Sequence, residues 1–149
     1  MDDLLRGVEV VEGDSSTIVK YIDAESDDYV GFGEIYFCRI QNGVDRGWKI
    51  HALSTCNLMV PVGEVAFVVA DLEMSAYRFY RLGEERMQRL LIPPLHWYRF
   101  VAESEPYAVI ANLLDIADRQ ERHTKEQIEL NSRKPASKVE WMEKRIIKE

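Results

Sequence analysis

The sequence predicts an all-β protein, a sandwich or barrel of antiparallel strands. Three observations point there. Over roughly the first 115 residues, short β-prone runs recur at regular spacing. Clusters of turn-forming residues separate them. No helical periodicity lies between them, which disfavours a parallel α/β architecture.

Val8-Glu9-Val10-Val11 and Thr17-Ile18-Val19-Lys20-Tyr21-Ile22 open the series, divided by the turn cluster Glu12-Gly13-Asp14-Ser15. The nearly unbroken apolar run from Ile35 to Ile40 reads as a strand buried on both faces, and Gln41-Asn42-Gly43 ends it. Gly47-Trp48-Lys49-Ile50-His51-Ala52 reads as the next strand. Side chains alternate along a strand, so Trp48 and Ile50 share one face, and Lys49 and His51 the other. Asn57–Val60 and Val65–Val69 flank Pro61-Val62-Gly63-Glu64, which reads as a hairpin turn. Tyr77–Tyr80, Arg89–Ile92, Trp97–Val101 and Tyr107–Ala111 complete the strands.

Residues 1–117 thus form one β domain, and residues 118–149 a polar, helical C-terminal extension. In the extension Val139, Met142 and Ile146 recur at helical spacing, with Trp141 beside them. One or two helices packed on the barrel or on a partner subunit fit this pattern.

Composition narrows the function. The chain has 149 residues and a net charge of −7, which argues against a general affinity for nucleic acid or an anionic membrane. No run approaches the roughly 18 apolar residues of a spanning helix. The start, Met1-Asp2-Asp3-Leu4-Leu5, has no basic segment followed by an apolar one, so no secretory signal is visible. Cys38 and Cys56 match no metal knuckle or redox pair and read as reduced, half-buried thiols of a cytoplasmic protein. There is no phosphate loop, dinucleotide fingerprint or Gly-x-Ser-x-Gly elbow.

His51 is the leading candidate for chemistry. Imidazole titrates near neutrality and can serve as general base, and an ammonium at Lys49 on the same face could stabilise an oxyanion or hold a phosphate. A hydrogen-bonded core histidine beside a solvated lysine is the competing reading. His96 and Tyr98 share a face as Ile92-Pro93-Pro94 runs into the following strand. Tyr98 could act as general acid and the aromatics could stack on a base, or both residues could be rim or core. His123, among charges, reads as solvated. Three or four converging metal ligands are not visible, so no metal is expected.

Several blocks carry a resemblance: Gly33-Glu34-Ile35-Tyr36-Phe37, Gly47-Trp48-Lys49-Ile50-His51, Thr55–Gly63, and Arg89–Pro94 followed by Phe100. Over residues 30–116 the chain resembles the short dTDP-4-dehydrorhamnose 3,5-epimerases and the sugar 3,4-ketoisomerases of the cupin superfamily. The resemblance implies a double-stranded β-helix, the cupin jelly roll, usually a homodimer with its site inside the barrel. It implies no cofactor, because the metal-binding His-x-His slot here reads Lys49-Ile50-His51. It implies a nucleotide-sugar substrate, dTDP-linked, with His51 removing the proton beside the keto group of a 4-keto-6-deoxy sugar. Lys49 and Tyr98 would serve as the other catalytic groups. Arg39, Arg46, Arg78 and Arg99 become candidates for the pyrophosphate, with Trp48 and His96 as further substrate contacts.

The family pattern also departs from this chain. Its final-strand tyrosine falls near Ala111, its phosphate-holding basic residues fall near Cys56 and Met59, and the carboxylate that supports its histidine has no clear counterpart. Tyr98, Tyr36 or Tyr107 could replace the acid. The alternative is a catalytically silent cupin that binds a sugar nucleotide or a protein partner; a metal-dependent cupin oxygenase is disfavoured on ligand count.

Overall fold

The computed structural model describes residues 3–135, so Val139, Trp141, Met142 and Ile146 lie outside the described residues. Ten strands and two short helices follow in order: β1 (Leu5–Arg6), β2 (Glu9–Glu12), β3 (Thr17–Lys20), β4 (Glu34–Gln41), β5 (Cys56–Val62), β6 (Glu64–Ala70), β7 (Tyr77–Gly83), β8 (Arg89–Ile92), β9 (Trp97–Ala102), β10 (Tyr107–Leu114), α1 (Asp118–Glu121) and α2 (Lys125–Ser132). A five-stranded sheet in the order β1-β8-β5-β10-β4 faces a three-stranded sheet in the order β7-β6-β9, and β2 pairs with β3 in a separate ribbon. All pairings are antiparallel. The architecture is a cupin jelly roll with a short helical C-terminal segment.

The alternation of side chains builds two layers of core. Along β6, Val65, Phe67 and Val69 point between the sheets and meet Leu58, Val60, Leu90, Ile92, Phe100 and Ile110. Val68 and Ala70 point the other way, into a second cluster with Trp48, Ile50, Trp97 and Leu130 of α2. The continuous apolar run of β6 therefore has a physical cause: both faces are covered. Each fully buried Val, Leu or Phe contributes about 1.5–3 kcal/mol, and Phe67→Ala would cost about 3–5 kcal/mol.

Three sequence expectations change. The strand at Ile35–Ile40 is not buried on both faces: Ile35 is 50% and Phe37 66% exposed, whereas Ile40 is 2% exposed. β4 ends its sheet, and nothing among the described residues covers its outer face. Pro61-Val62-Gly63-Glu64 does not close a hairpin, because β5 and β6 belong to different sheets. Gly63, at φ 81°, turns the chain from one sheet to the other. A β-carbon there would lie 3.0 Å from Ala108. Finally, Gly47–Ala52 is not a full strand. It stays extended alongside β9, with one two-way pairing in which Lys49 N donates to Tyr98 O (2.8 Å) and Tyr98 N donates to Lys49 O (2.9 Å).

Among the described residues no helix is long and apolar enough to cross a membrane.

Candidate active site

A cavity of about 400 Å³ opens between the two sheets, within the range of roughly 300–1,000 Å³ typical of small-molecule sites. Tyr36 and Cys38 of β4, Leu58 of β5, and Ile110 and Leu114 of β10 form one wall. Lys49, His51, Tyr98 and Phe100 form the facing wall, while Arg46, Glu34 and Asp118 also line the cavity. The alternation expected at Gly47–Ala52 explains the second wall. Trp48 and Ile50, at 1% and 4% exposure, pack outward under α2, so Lys49 and His51 turn inward.

His51 is held on both ring nitrogens. Nδ1 lies 2.6 Å from Glu121 Oε1, and Nε2 lies 3.4 Å from the Tyr98 hydroxyl. The rings of His51 and Tyr98 stack at 6.2 Å between centroids. Glu121 is 1% exposed, and its Oε2 accepts from the backbone amides of Leu53 (2.8 Å) and Ser54 (2.7 Å). A carboxylate surrounded by donors in this way is kept charged. Burial by itself would raise the pKa of Glu121, but the His51 ring and these two amides hold it below the usual value. Burial would lower the pKa of His51. The Cys56 sulfur and the Glu121 carboxylate outweigh it, and the pKa is raised to about 10.

Lys49 has the opposite balance. Among the described residues no carboxylate pairs with it; its ammonium sits 5.1 Å from the Phe100 ring centroid. Burial, with a contribution from the Arg46 charge, lowers its pKa. Tyr98 is 2% exposed, and burial above all pushes its phenol well above the ordinary value. Across the cavity, the Tyr36 hydroxyl accepts a hydrogen bond from Asn112 Nδ2 at 3.0 Å. Burial raises the pKa of Tyr36, while that bond works against it.

Of the nine residues that the resemblance assigned to the site, four line the cavity, His51, Lys49, Tyr98 and Arg46, and Tyr36, named as an alternative acid, lines it too. The other five lie elsewhere. Trp48 is core, for the reason just given. Arg99 turns to the same outer side, pairs with Asp45 at 2.8 Å and lies over the Trp48 ring. Arg39 is exposed on the outer face of β4, above Tyr107. Arg78 is exposed on β7, the strand of the three-stranded sheet farthest from β9. The His96 ring bonds to Pro94 O at 2.9 Å in the turn before β9. These five side chains are not among those that form the cavity: Trp48, Arg99 and Arg39 occupy positions of outward parity and His96 lies in a turn, whereas Arg78 shares the parity of Tyr80 and Leu82 but sits at the exposed start of β7, away from the cavity.

Sequence reasoning missed Glu121. It sits in the charged run Arg119-Gln120-Glu121-Arg122, which has the composition of a solvated helix face. The chain leaving β10 passes so close to Gly33 that a β-carbon there would lie 2.6 Å from Asp115 O and Ala117 N. That close approach helps bring α1 back over the barrel mouth. Among the described residues, no group of three or more His, Cys, Asp or Glu is arranged to hold a metal ion.

No family model matches the sequence, and no curated protein matches it. Solved structures do. A dTDP sugar isomerase from Desulfovibrio desulfuricans G20 superposes with a TM-score of 0.72 at 25% identity, covering 85% of each chain. A 3,4-ketoisomerase from Thermoanaerobacterium thermosaccharolyticum in complex with TDP gives 0.67 at 17% identity, covering 78% of this chain and 83% of that one. A dTDP-4-dehydrorhamnose 3,5-epimerase from Bacillus anthracis with TDP and pyrophosphate bound gives 0.66 at 17% identity, covering 76% and 71%. The chain has the fold of the cupin-type dTDP-sugar epimerases and ketoisomerases, at 17–25% sequence identity to these three.

Proposed function

We propose that this protein is a metal-independent isomerase that moves a proton beside the keto group of a 4-keto-6-deoxy sugar nucleotide, with a dTDP-linked sugar as substrate. One observation carries the reading: the imidazole of His51 faces a sugar-sized cavity while a buried carboxylate grips its far nitrogen at 2.6 Å. A structural histidine needs neither the cavity nor the charge.

The chemistry follows from what a C–H next to a ketone requires. Its proton leaves only if a base takes it and the enolate oxygen is stabilised. His51 Nε2 takes the proton, and the Glu121 carboxylate stabilises the imidazolium that forms. The Lys49 ammonium, on the same wall, offsets the charge on the enolate oxygen. Reprotonation from the other face needs a donor on the opposite wall. Tyr98 stands beside His51, so it positions the ring and is not that donor, contrary to the role the sequence suggested. Tyr36 stands on the opposite wall. Because Asn112 donates to the Tyr36 oxygen, the phenolic hydrogen is left to point elsewhere, towards the cavity.

Arg46 at the cavity is the group best placed for a phosphate oxygen. The exposed apolar side chains Ile35 and Phe37 on the free edge of β4 support a homodimer. Light scattering after gel filtration reads that mass directly.

The test uses a dTDP-4-keto-6-deoxyhexose in deuterated water. Wild type should place deuterium at a carbon next to the ketone, and His51→Ala should lose the exchange. Equal label entry in the two proteins sinks the proposal, and binding without any exchange favours the silent sugar-nucleotide binder.

A further inference from the structure

Among the described residues, the extended segment that carries His51 has no strand neighbour on its outer side, yet its backbone is not left open. Gln127, 6% exposed in α2, meets it with both ends of its amide. Its Oε1 accepts from Ala52 N at 2.8 Å, and its Nε2 donates to Ile50 O at 2.9 Å. This pair of bonds fixes which amide atom is oxygen and which is nitrogen. It also reproduces what a neighbouring strand would offer the residues on either side of His51.

The local sequence makes this choice unusual. Thr124 caps α2 by accepting from Gln127 N at 3.3 Å, and a glutamine at that position commonly turns back to the cap residue. Here its side chain reaches across to the barrel instead, steadied by Asn131 Oδ1 at 3.0 Å. Leu130, one turn further on, packs in the Trp48 and Ile50 cluster and fixes the distance of the helix.

We infer that Gln127 is a positioning residue of the active site, the clamp that holds the backbone around His51 so that its ring meets Glu121. This rests on the reading of His51 as the base. Rotating the Ile50–Ala52 backbone by a few degrees would swing the imidazole off Oε1, and a misplacement of about 1 Å in a catalytic group can cost roughly a hundredfold in rate.

The test reads the His51 ring directly as well as the reaction. Gln127→Leu keeps volume and removes both bonds; Gln127→Glu keeps the acceptor for Ala52 N and loses the donor to Ile50 O. Ile128→Ala, at an exposed position of the same helix, is the control. The His51 imidazole is titrated by NMR in the full chain, assigned against His51→Ala. The groups facing the ring are Glu121, Cys56, Tyr98 and Lys49, and all stay in place. In Gln127→Leu the titration midpoint should fall by at least about one unit towards the ordinary value, and the turnover rate for label exchange should drop about tenfold with KM within about twofold. Gln127→Glu should fall between the two proteins. A wild-type midpoint and turnover in a folded Gln127 variant, with only its melting temperature lowered, overturns the clamp. Should Gln127→Leu not fold, Gln127→Glu alone decides on the same two readouts. If wild type catalyses no exchange, the proposed activity fails while the NMR comparison still judges the clamp.

Discussion

Glu121 Oε1 lies 2.6 Å from His51 Nδ1 although 70 residues separate the two in the chain. The post-barrel helix thus completes a dyad begun on the barrel wall. Glu121→Gln keeps an acceptor near the ring but removes its charge. It should lower the exchange rate about 10- to 100-fold, the usual consequence of losing a supporting carboxylate. It should also cost about 3 kcal/mol in urea unfolding, as removal of one partner of a buried ion pair does. An unchanged rate would mean that the dyad is structural.

The pH dependence of that stability has a definite sign. The pKa of Glu121 is depressed below 4.5, so its share is present above that value and is lost as acid protonates it in the fold. The pKa of His51 is raised from 6.5 to about 10, so its share is complete below 6.5 and is lost as pH rises towards 10. The stability gap between wild type and Glu121→Gln should therefore be widest between about pH 4.5 and 6.5 and should close on the alkaline side. A gap that widens above pH 8 contradicts the pairing.

Catalysis should have an alkaline optimum. The base form of free His51 grows about tenfold per pH unit below its pKa of about 10, so kcat/KM should climb from pH 7. Lys49, whose pKa burial lowers from 10.5, loses its charge on the high side and supplies the falling limb. Lys49→Met should remove that limb along with most of the rate. A profile that is flat from pH 6 to 9 argues against His51 as base.

Tyr36 and Tyr98 should separate under substitution to phenylalanine. Tyr36→Phe should leave proton abstraction in place, so label enters while inverted product falls about a hundredfold, within the range for loss of a general acid. Tyr98→Phe should slow exchange and inversion together, because it disturbs the ring of His51. The ratio of label entry to inversion, followed by NMR, distinguishes them.

The arginines divide in the same spirit. Arg46→Gln should weaken dTDP binding about tenfold in calorimetry, with little change in melting temperature. Arg99→Gln breaks the buried pair with Asp45 and should cost about 3–5 kcal/mol of stability, leaving dTDP affinity within about twofold in the folded fraction.

These divisions follow the line between what was legible in the chain and what was not. The strands were readable because β-prone runs and Gly-bearing turns are local. The inward pair Lys49 and His51 was readable because side chains alternate wherever the backbone is extended, even with only one ladder pairing. Which of two alternating faces is the inner one was not readable for Arg99 or Trp48, since parity has no sign until a partner sheet is in place. The sheet change at Gly63 likewise looked like a hairpin, because a glycine turn does not say which strand follows on which side.

By itself the sequence determined the β architecture, the chain positions of its turns and the side-by-side placement of one imidazole and one amine. Only the tertiary structure decided that Glu121, a polar residue of an unremarkable charged stretch, is buried against that imidazole, and that Gln127 is buried against the backbone on either side of it. Alternation and turn preference act between neighbours along the backbone, whereas burial of a carboxylate depends on donors such as the Leu53 and Ser54 amides. Those donors lie far away in the chain and meet it only when the barrel has closed.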